Sequence, residues 1–201
     1  MSTTIDYYFT PQSPWTYLGH ARFAQIARDA GAAVRILPID LGGKVFPISG
    51  GLPLGQRAPQ RQAYRLLELR RHADFLGLPL NVKPRYFPVA DGDAARLVIA
   101  VGLHDGADAA MQVASAIFTA LWAQERHIGS EKVLAELLAE CGLDAARLEQ
   151  SYSQAVQERY ENNTAEAIEA GVFGAPSYVL AGELFWGQDR LDFLARRLAA
   201  R

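Results

Sequence analysis

Ser13 and the residues that follow it, Pro14, Trp15 and Thr16, are the first place in this sequence where residue types and spacing suggest chemistry. A short β-type run ends at Phe9 and a helical pattern follows, so Ser13 lies where a predicted strand passes into a predicted helix. Ligands collect at this edge of an open α/β sheet, and the free amides of a helix start stabilise an anion. Serine is also a common N-cap and proline fits the first helical position, so a capping role alone would account for Ser13.

The run Gly174-Ala175-Pro176-Ser177, directly before another predicted strand, is the second candidate site. A proline at a strand entrance is usually trans, because only about 5% of X-Pro bonds in folded proteins are cis. From the local sequence alone we therefore expect a trans Pro176 that begins an edge strand.

Other kinds of chemistry have weaker support in the sequence. No Gly-x-Ser-x-Gly pattern surrounds Ser13, which argues against a hydrolase nucleophile. Cys141, the only cysteine, lies in an apolar helical pattern and has no partner for an internal disulfide, so we expect a buried structural thiol. The histidines show no metal-ligand spacing, so we predict no metal site and ordinary surface or core positions for His20, His72, His104 and His127.

Composition narrows the class of protein. The 201 residues are 50% hydrophobic and 21% charged, as in an ordinary globular chain with a substantial core. A formal net charge of -2 with scattered arginines gives no basic surface for nucleic acid. No apolar run approaches the roughly 20 residues of a membrane helix, and the start lacks the pattern of a secretory signal, so we predict a cytoplasmic protein.

Two groups of predicted strands lie at the two ends of the chain. The N-terminal end has the pattern β-α-β, for which a parallel pair with a right-handed crossover is the expected geometry. The C-terminal end has the pattern α-β-β-α, with a helix at residues 163–171 that Asn163 would cap and a hairpin turn at Ala181-Gly182. The predicted strands are residues 5–9, 34–39, 177–180 and 183–185.

Between these ends the sequence predicts an all-helical insertion. A connection rich in glycine and proline comes first, at residues 41–59, and long irregular connections are often functional. Helical patterns follow at residues 60–76, 93–103, 107–124, 130–141 and 144–160. We predict an α/β protein with a four-stranded sheet, in which residues 1–40 and 162–201 form one domain and residues 41–161 form a helical insertion domain.

A strand, then Ser-Pro-aromatic at a helix start, a helical insertion, and Gly-Ala-Pro-Ser before a hairpin together resemble the thioredoxin superfamily. The resemblance covers nearly the whole chain. It is greatest to the branch that contains the oxidoreductase DsbA, the kappa-class glutathione transferases and the 2-hydroxychromene-2-carboxylate isomerases, and it implies a thioredoxin-like sheet. Redox members carry Cys-x-x-Cys where this chain has Ser13-Pro14-Trp15-Thr16, so the protein itself is not expected to exchange disulfides.

Within that branch the sequence is most similar to the chromene-carboxylate isomerases, in which the matching serine contacts the sulfur of bound glutathione. The resemblance implies that Ser13 is the catalytic residue and a glutathione contact. It also implies that Ala175 precedes a cis-proline, Pro176, and pairs its backbone with the cysteinyl part of glutathione. The resemblance also implies that four residues hold the γ-glutamyl end of glutathione, namely Trp186, Gly187, Gln188 and Asp189. They match the family's Trp-Gly-Asn-Asp, with glutamine in place of asparagine.

The same resemblance implies substrate contacts from the irregular loop and from one tyrosine, at Lys44, Gln56, Arg57 and Tyr86. A substrate that bears a carboxylate needs a cation, which Lys44 or Arg57 would supply. Trp15, Tyr86 and Phe87 would pack against its ring.

The implied activity is glutathione-dependent isomerisation of 2-hydroxychromene-2-carboxylate or a related intermediate of aromatic catabolism. A free thiol has a pKa of about 8.5, and a hydroxyl donor at a helix start would stabilise its thiolate. Addition of that thiolate to a conjugated double bond leaves a rotatable single bond, and its departure completes the isomerisation. The alternatives are a kappa-class-like glutathione transferase or peroxidase, and a non-catalytic binding module. The resemblance also implies a homodimer.

Overall fold

A four-stranded sheet lies at the centre of the molecule. Strand β1 (Thr4–Phe9) is parallel to β2 (Ala33–Pro38) on one side and antiparallel to β3 (Ser177–Leu180) on the other. Strand β3 also pairs antiparallel with β4 (Glu183–Trp186), which gives the order β2-β1-β3-β4. The computed structural model describes residues 3–200. The prediction that both ends of the chain build one sheet is confirmed.

Helices form most of the rest of the chain. They are α1 (Pro14–Asp29), α2 (Phe46–Ser49), α3 (Pro59–Leu76), α4 (Gly92–Asp105), α5 (Ala107–Trp122), α6 (Glu131–Glu140), α7 (Ala146–Gln150), α8 (Gln154–Glu169) and α9 (Leu191–Ala199). The connection at residues 41–59 is more regular than we expected, because it contains a π-helical turn at Leu41–Val45, α2, and a 3-10 turn at Leu54–Gln56. The Asp40 side chain starts the first of these turns by accepting a hydrogen bond from the Gly43 amide at 2.7 Å.

The predicted boundary between the helices at residues 144–160 and 163–171 is wrong. The chain breaks earlier, and Ser153 caps α8 by accepting a hydrogen bond from the Val156 amide at 3.4 Å. Asn163 lies inside α8 rather than at its start. Its buried side chain donates from Nδ2 to the carbonyl oxygen of Pro38 at 3.2 Å. This hydrogen bond to a residue distant in sequence explains why a polar side chain is buried in the middle of the helix.

Strand β1 carries apolar side chains on both faces. Ile5, Tyr7 and Phe9 belong to the larger core, which continues into α1, α4 and α5, whereas Tyr8 packs on the opposite face with Ala167 of α8. Strand β1 is therefore buried on both faces, and this burial fixes the position of the segment that leads from β1 to Ser13. The larger core is continuous from the sheet into the helical insertion. The division into two domains therefore stays a prediction.

Two further features bear on the predicted class of protein. No helix within residues 3–200 combines the length and the apolar character needed to cross a membrane. Cys141 forms no disulfide, is half-buried at the end of α6, and its burial raises the pKa of the thiol. The thiol is thus less buried than we expected, and its raised pKa disfavours the reactive thiolate.

Candidate active site at the start of helix α1

Ser13 ends the connection from β1 and caps α1. Its Oγ accepts a hydrogen bond from the Thr16 amide at 3.2 Å, which satisfies one of the free amides at the helix start. The same hydroxyl donates to the carbonyl oxygen of Ala175 across 3.4 Å. This second distance exceeds the usual range for O–H···O hydrogen bonds, so the interaction is weak and the proton is available to a better acceptor. Capping therefore does not use up the hydroxyl.

Backbone groups around Ser13 are open to a ligand. In the part of the chain that the structure describes, the amides of Trp15 and Ala175 donate to no other group. The Ala175–Pro176 bond is cis, as the family resemblance implies, so the trans proline expected from local sequence is wrong. The carbonyl oxygen of Pro176 accepts a hydrogen bond from the Gly187 amide at 2.9 Å. The local sequence around Pro176 does not show this contact with the end of β4. Ser13 and these two amides could donate to an anion or an extended peptide.

Asp91, which the sequence analysis missed, braces the segment before Ser13. Its carboxylate accepts hydrogen bonds from the Thr10 hydroxyl, from the Gln12 amide at 3.0 Å and from Gln12 Nε2 at 3.2 Å. Burial raises the pKa of Asp91, and these donors oppose that rise. The Asp91 side chain does not cap α4, which begins directly after it, and nothing local in the sequence indicates a contact about 80 residues away.

A second missed contact forms one wall of the site. The Trp15 ring lies edge-on to the His72 ring of α3, with centroids 5.8 Å apart, and His72 Nδ1 is 3.0 Å from Gln188 Nε2. Gln188 also packs against α1, because a Cβ at Gly19 would lie only 2.7 Å from Gln188 Cβ. The side-chain amide of Gln188, which we expected to contact glutathione, is therefore directed at His72.

Among the predicted glutathione residues near β4, Trp186 and Gly187 contact the segment from Gly174 to Pro176. A Cβ at Gly174 would lie 2.2 Å from the Trp186 indole nitrogen, so the ring covers the segment that leads to Ala175. Trp186 is half exposed and also packs against Phe173, with ring centroids 4.8 Å apart. Gly187 has a φ of 100°, which glycine adopts without strain, and the exposed Asp189 pairs with Arg190 at 2.5 Å.

The four predicted substrate residues are exposed or contact residues other than Ser13. Lys44 and Gln56 are exposed, and Arg57 donates from Nε to the Leu52 carbonyl at 2.8 Å. Tyr86 packs against the His127 ring at 4.9 Å. Within residues 3–200, no hydrogen bond, ion pair or ring contact joins any of these four side chains to Ser13. Their assignment to the substrate stays a prediction.

Arg65 of α3 is a further residue that the sequence analysis missed. Its guanidinium carbon lies 5.2 Å from the centroid of the Phe87 ring and 6.0 Å from that of Trp122. Burial and the positive charge of Arg57 lower the pKa of Arg65 to about 10, which still leaves it charged at neutral pH. The sequence predicts only that Arg65 lies in a helix, and gives no sign that no acid within residues 3–200 pairs with it.

The histidines are not arranged as metal ligands. His20 is buried, with Nδ1 at 3.1 Å from the Tyr7 hydroxyl and Nε2 at 3.0 Å from the Met111 carbonyl oxygen. Burial lowers the pKa of His20 to about 4, so the ring is neutral and donates from Nε2. Over residues 3–200, no group of three or more His, Cys, Asp or Glu side chains could hold a metal ion.

The strand order, the cis-proline beside a helix start and the helical insertion define a thioredoxin-like fold of the DsbA type. The family model for the DSBA-like thioredoxin domain matches residues 4–199. The solved structure of the cytosolic disulfide reductase DsbM from Pseudomonas aeruginosa with GSH is similar in fold, with a TM-score of 0.68 and 22% identity, and covers 98% of this chain and 99% of that one.

A narrower similarity distinguishes the branch. A 2-hydroxychromene-2-carboxylate isomerase from Pseudomonas putida is 32% identical over 192 residues, which cover 94% of this chain and 91% of that protein. The solved structure of a 2-hydroxychromene-2-carboxylate isomerase has a TM-score of 0.79 and 30% identity, and covers 98% of this chain and 95% of that one. This chain therefore belongs to the 2-hydroxychromene-2-carboxylate isomerase family of DsbA-like proteins.

Proposed function

We propose that this protein is a glutathione-dependent isomerase that converts 2-hydroxychromene-2-carboxylate into trans-o-hydroxybenzylidenepyruvate, or acts on a related intermediate of aromatic catabolism. The observation that carries the proposal is the Ser13 hydroxyl, which stands at a helix start beside open amides in a chain without a cysteine at that position. Membership of the isomerase family supports the reaction class.

The residues around Ser13 fit glutathione. The amide of Ala175, which is open within residues 3–200, would pair with the cysteinyl backbone, and this pairing would bring the thiol to Ser13 Oγ. Trp186, Gly187 and Asp189 would hold the γ-glutamyl end, with Gln188 contributing mainly through its backbone because His72 engages its side chain. The DsbM structure with GSH supports glutathione binding on this fold.

When bound, glutathione supplies a thiolate that adds reversibly to a conjugated double bond. Ser13 would turn its hydroxyl proton from the distant Ala175 carbonyl towards the sulfur, where it meets a charged acceptor. The open Trp15 amide and the positive end of the α1 dipole would favour the same negative charge. Together these groups would lower the pKa of the thiol without a protein cysteine.

The substrate would bind between α3 and the loop after β2. Lys44 and Arg57 would attract its carboxylate, while Gln56 and Tyr86 would contact its polar groups. Trp15, at the edge of the Ser13 site, would pack against the aromatic ring. In this arrangement the partner of the protein is a small aromatic carboxylate.

The reaction itself tests the proposal. Purified protein is incubated with 2-hydroxychromene-2-carboxylate, with and without glutathione, and both the product and free thiol are measured. We expect many turnovers per glutathione with no loss of thiol, and no turnover without glutathione. Consumption of thiol with a chlorinated aromatic acceptor would indicate a kappa-class-like transferase, and absence of glutathione binding by calorimetry would indicate a binding module. Either result would overturn the proposal.

We also propose that the protein is a homodimer in the cytoplasm, where glutathione is abundant. The outer side of α3 exposes Tyr64, Leu67 and Phe75, at 57%, 46% and 82% of their surfaces, and these side chains offer an apolar contact surface. Light scattering after size-exclusion chromatography should give twice the mass of one chain. A monomer at micromolar concentration would contradict this proposal.

A further inference from the structure

Arg65 is a half-buried cation, and no acid in the described part of the chain pairs with it. Within residues 3–200 its guanidinium forms no ion pair and no hydrogen bond. Other partly buried arginines do form ion pairs, such as Arg147 with Asp105 at 2.7 Å and Arg126 with Glu136 at 3.0 Å. A guanidinium that leaves water is costly unless an anion satisfies its donors. The described part of the chain therefore supplies no hydrogen-bond acceptor for the Arg65 guanidinium.

Two aromatic rings hold the Arg65 guanidinium. Phe87 and Trp122 pack against each other with centroids 4.9 Å apart, and the cation lies near both rings. Such cation-π contacts stabilise the charge but accept no hydrogen bond from the N–H groups, which lie in the plane of the guanidinium. The donors of Arg65 thus keep a planar, two-pronged arrangement that matches a carboxylate.

Two connections link Arg65 to the Ser13 site. Along α3, Arg65 is two turns before His72 and on the same side of the helix, about 10 Å away along its axis, and His72 contacts Trp15. Along the other connection, the chain runs from Phe87 to Asp91, which holds the Gln12 amide next to Ser13. Both elements that border Arg65 therefore also border the Ser13 site.

The surroundings of Arg65 are positive. Besides burial, Arg57 lowers the pKa of Arg65, and Arg61 lowers that of Arg57, so the positive charge of Arg57 repels each of the other two. Among the described residues, none of the three forms an ion pair with an acid. An anion that binds here gains from all three charges and relieves their repulsion.

We infer that Arg65 binds the carboxylate of the aromatic substrate and makes the site selective for ring compounds that carry an acid group. This inference rests on the proposed function and adds a residue to it. Phe87 and Trp122 orient the guanidinium, and Arg57 and Arg61 attract the anion. The substrate class that follows is a planar aromatic acid, rather than a neutral aromatic electrophile of the kind that transferases accept.

The test compares binding of two stable probes, chromone-2-carboxylate and chromone, by calorimetry with and without glutathione. We expect wild-type protein to bind the acid at least about tenfold more tightly, the size of one charge-assisted hydrogen bond. Arg65→Met should remove most of this preference while leaving chromone binding unchanged. Arg70→Met, at an exposed position of α3, is the matched control and should keep the wild-type preference.

Arg65→Lys guards against a folding defect in Arg65→Met, since it keeps a cation and an apolar stem but loses the planar fork. We expect it to keep the wild-type melting temperature and to lose several-fold of the preference for the acid. The inference is overturned if wild-type protein shows no preference for the acid, or if both Arg65 variants keep it. Failure of the proposed function appears separately, as absence of glutathione binding when glutathione is titrated alone.

Discussion

The hydroxyl of Ser13 lies 3.4 Å from the carbonyl oxygen of Ala175, a residue 162 positions later in the chain. The pair joins the end of the β-α-β half to the start of the β-hairpin half, at the carboxyl edge of β1. The long distance leaves the proton of Ser13 weakly held. The position of the Ser13 hydroxyl, which we propose activates a thiol, therefore depends on the contact between the two halves of the sheet.

Replacement of Ser13 by alanine should separate its two roles. Ser13→Ala removes an N-cap, which costs about 1 kcal/mol of stability, and removes the donor to the thiolate, which should lower turnover about 100-fold. Ser153→Ala is the matched control, because Ser153 also caps a 16-residue helix but lies outside the Ser13 site. It should lose similar stability and keep full turnover. Equal activity in the two variants would contradict the assigned role of Ser13.

Gly19 should be sensitive to the smallest side chain. In a helix, glycine to alanine normally gains up to about 1 kcal/mol, but a Cβ at Gly19 would lie 2.7 Å from Gln188 Cβ. We expect Gly19→Ala to lower the melting temperature and to weaken glutathione binding, because Gln188 must move. Gly102→Ala in α4, whose Cβ would meet Ala110 Cβ at an ordinary 3.5 Å, should be neutral or stabilising. A stable Gly19→Ala protein with normal glutathione affinity would disprove the predicted role of this contact.

Asp91 should matter for turnover although it does not touch Ser13. Asp91→Ala leaves the donors of Thr10 and Gln12 unpaired, which should cost about 1–3 kcal/mol and loosen the segment before Ser13. We expect a lower kcat with partial rescue in Asp91→Asn, which retains one acceptor oxygen. Asp93→Asn, which affects a partly exposed ion pair with Arg96, serves as the control. An unchanged kcat in Asp91→Ala would show that the brace is only structural.

His20 should make stability depend on pH. Burial lowers the pKa of folded His20 to about 4 from an unfolded value of 6.5, so below pH 6.5 the unfolded chain takes up a proton that the folded protein excludes. Stability should therefore fall as pH drops from 6.5 towards 4, by at most about 3 kcal/mol. Urea unfolding across this range measures the slope, which His20→Gln should reduce and His104→Gln, at an exposed position, should not. Equal slopes in wild type and His20→Gln would refute this prediction.

Much of the fold could be predicted because its signals are local. The Ser13-Pro14 helix opening and the Ala181-Gly182 turn each depend on neighbouring residues, and the structure has both, with positive φ at both turn residues. The break before α8 was misplaced because Asn163 resembles a cap locally. Its actual partner, the Pro38 carbonyl, is 125 residues away.

The parts of the site that escaped prediction depend on contacts between distant segments. Asp91 with Gln12, His72 with Gln188, and Arg65 with Phe87 each join different elements of the fold. A histidine or an arginine on a helix gives no sign of its partner in a single sequence. Our inference about the substrate depends on Arg65 having no acidic partner within residues 3–200, which becomes visible only when the surrounding elements are packed.

We propose above that Ser13 stabilises the thiolate of bound glutathione. The most direct measurement is the pKa of that thiol on the protein, followed through the ultraviolet absorbance of the thiolate as pH is varied. In wild-type protein we expect a value at least about one unit below the 8.5 of a free thiol, and in Ser13→Ala a return towards the free value. A bound thiol that titrates at or above the free value in wild-type protein would contradict this proposal.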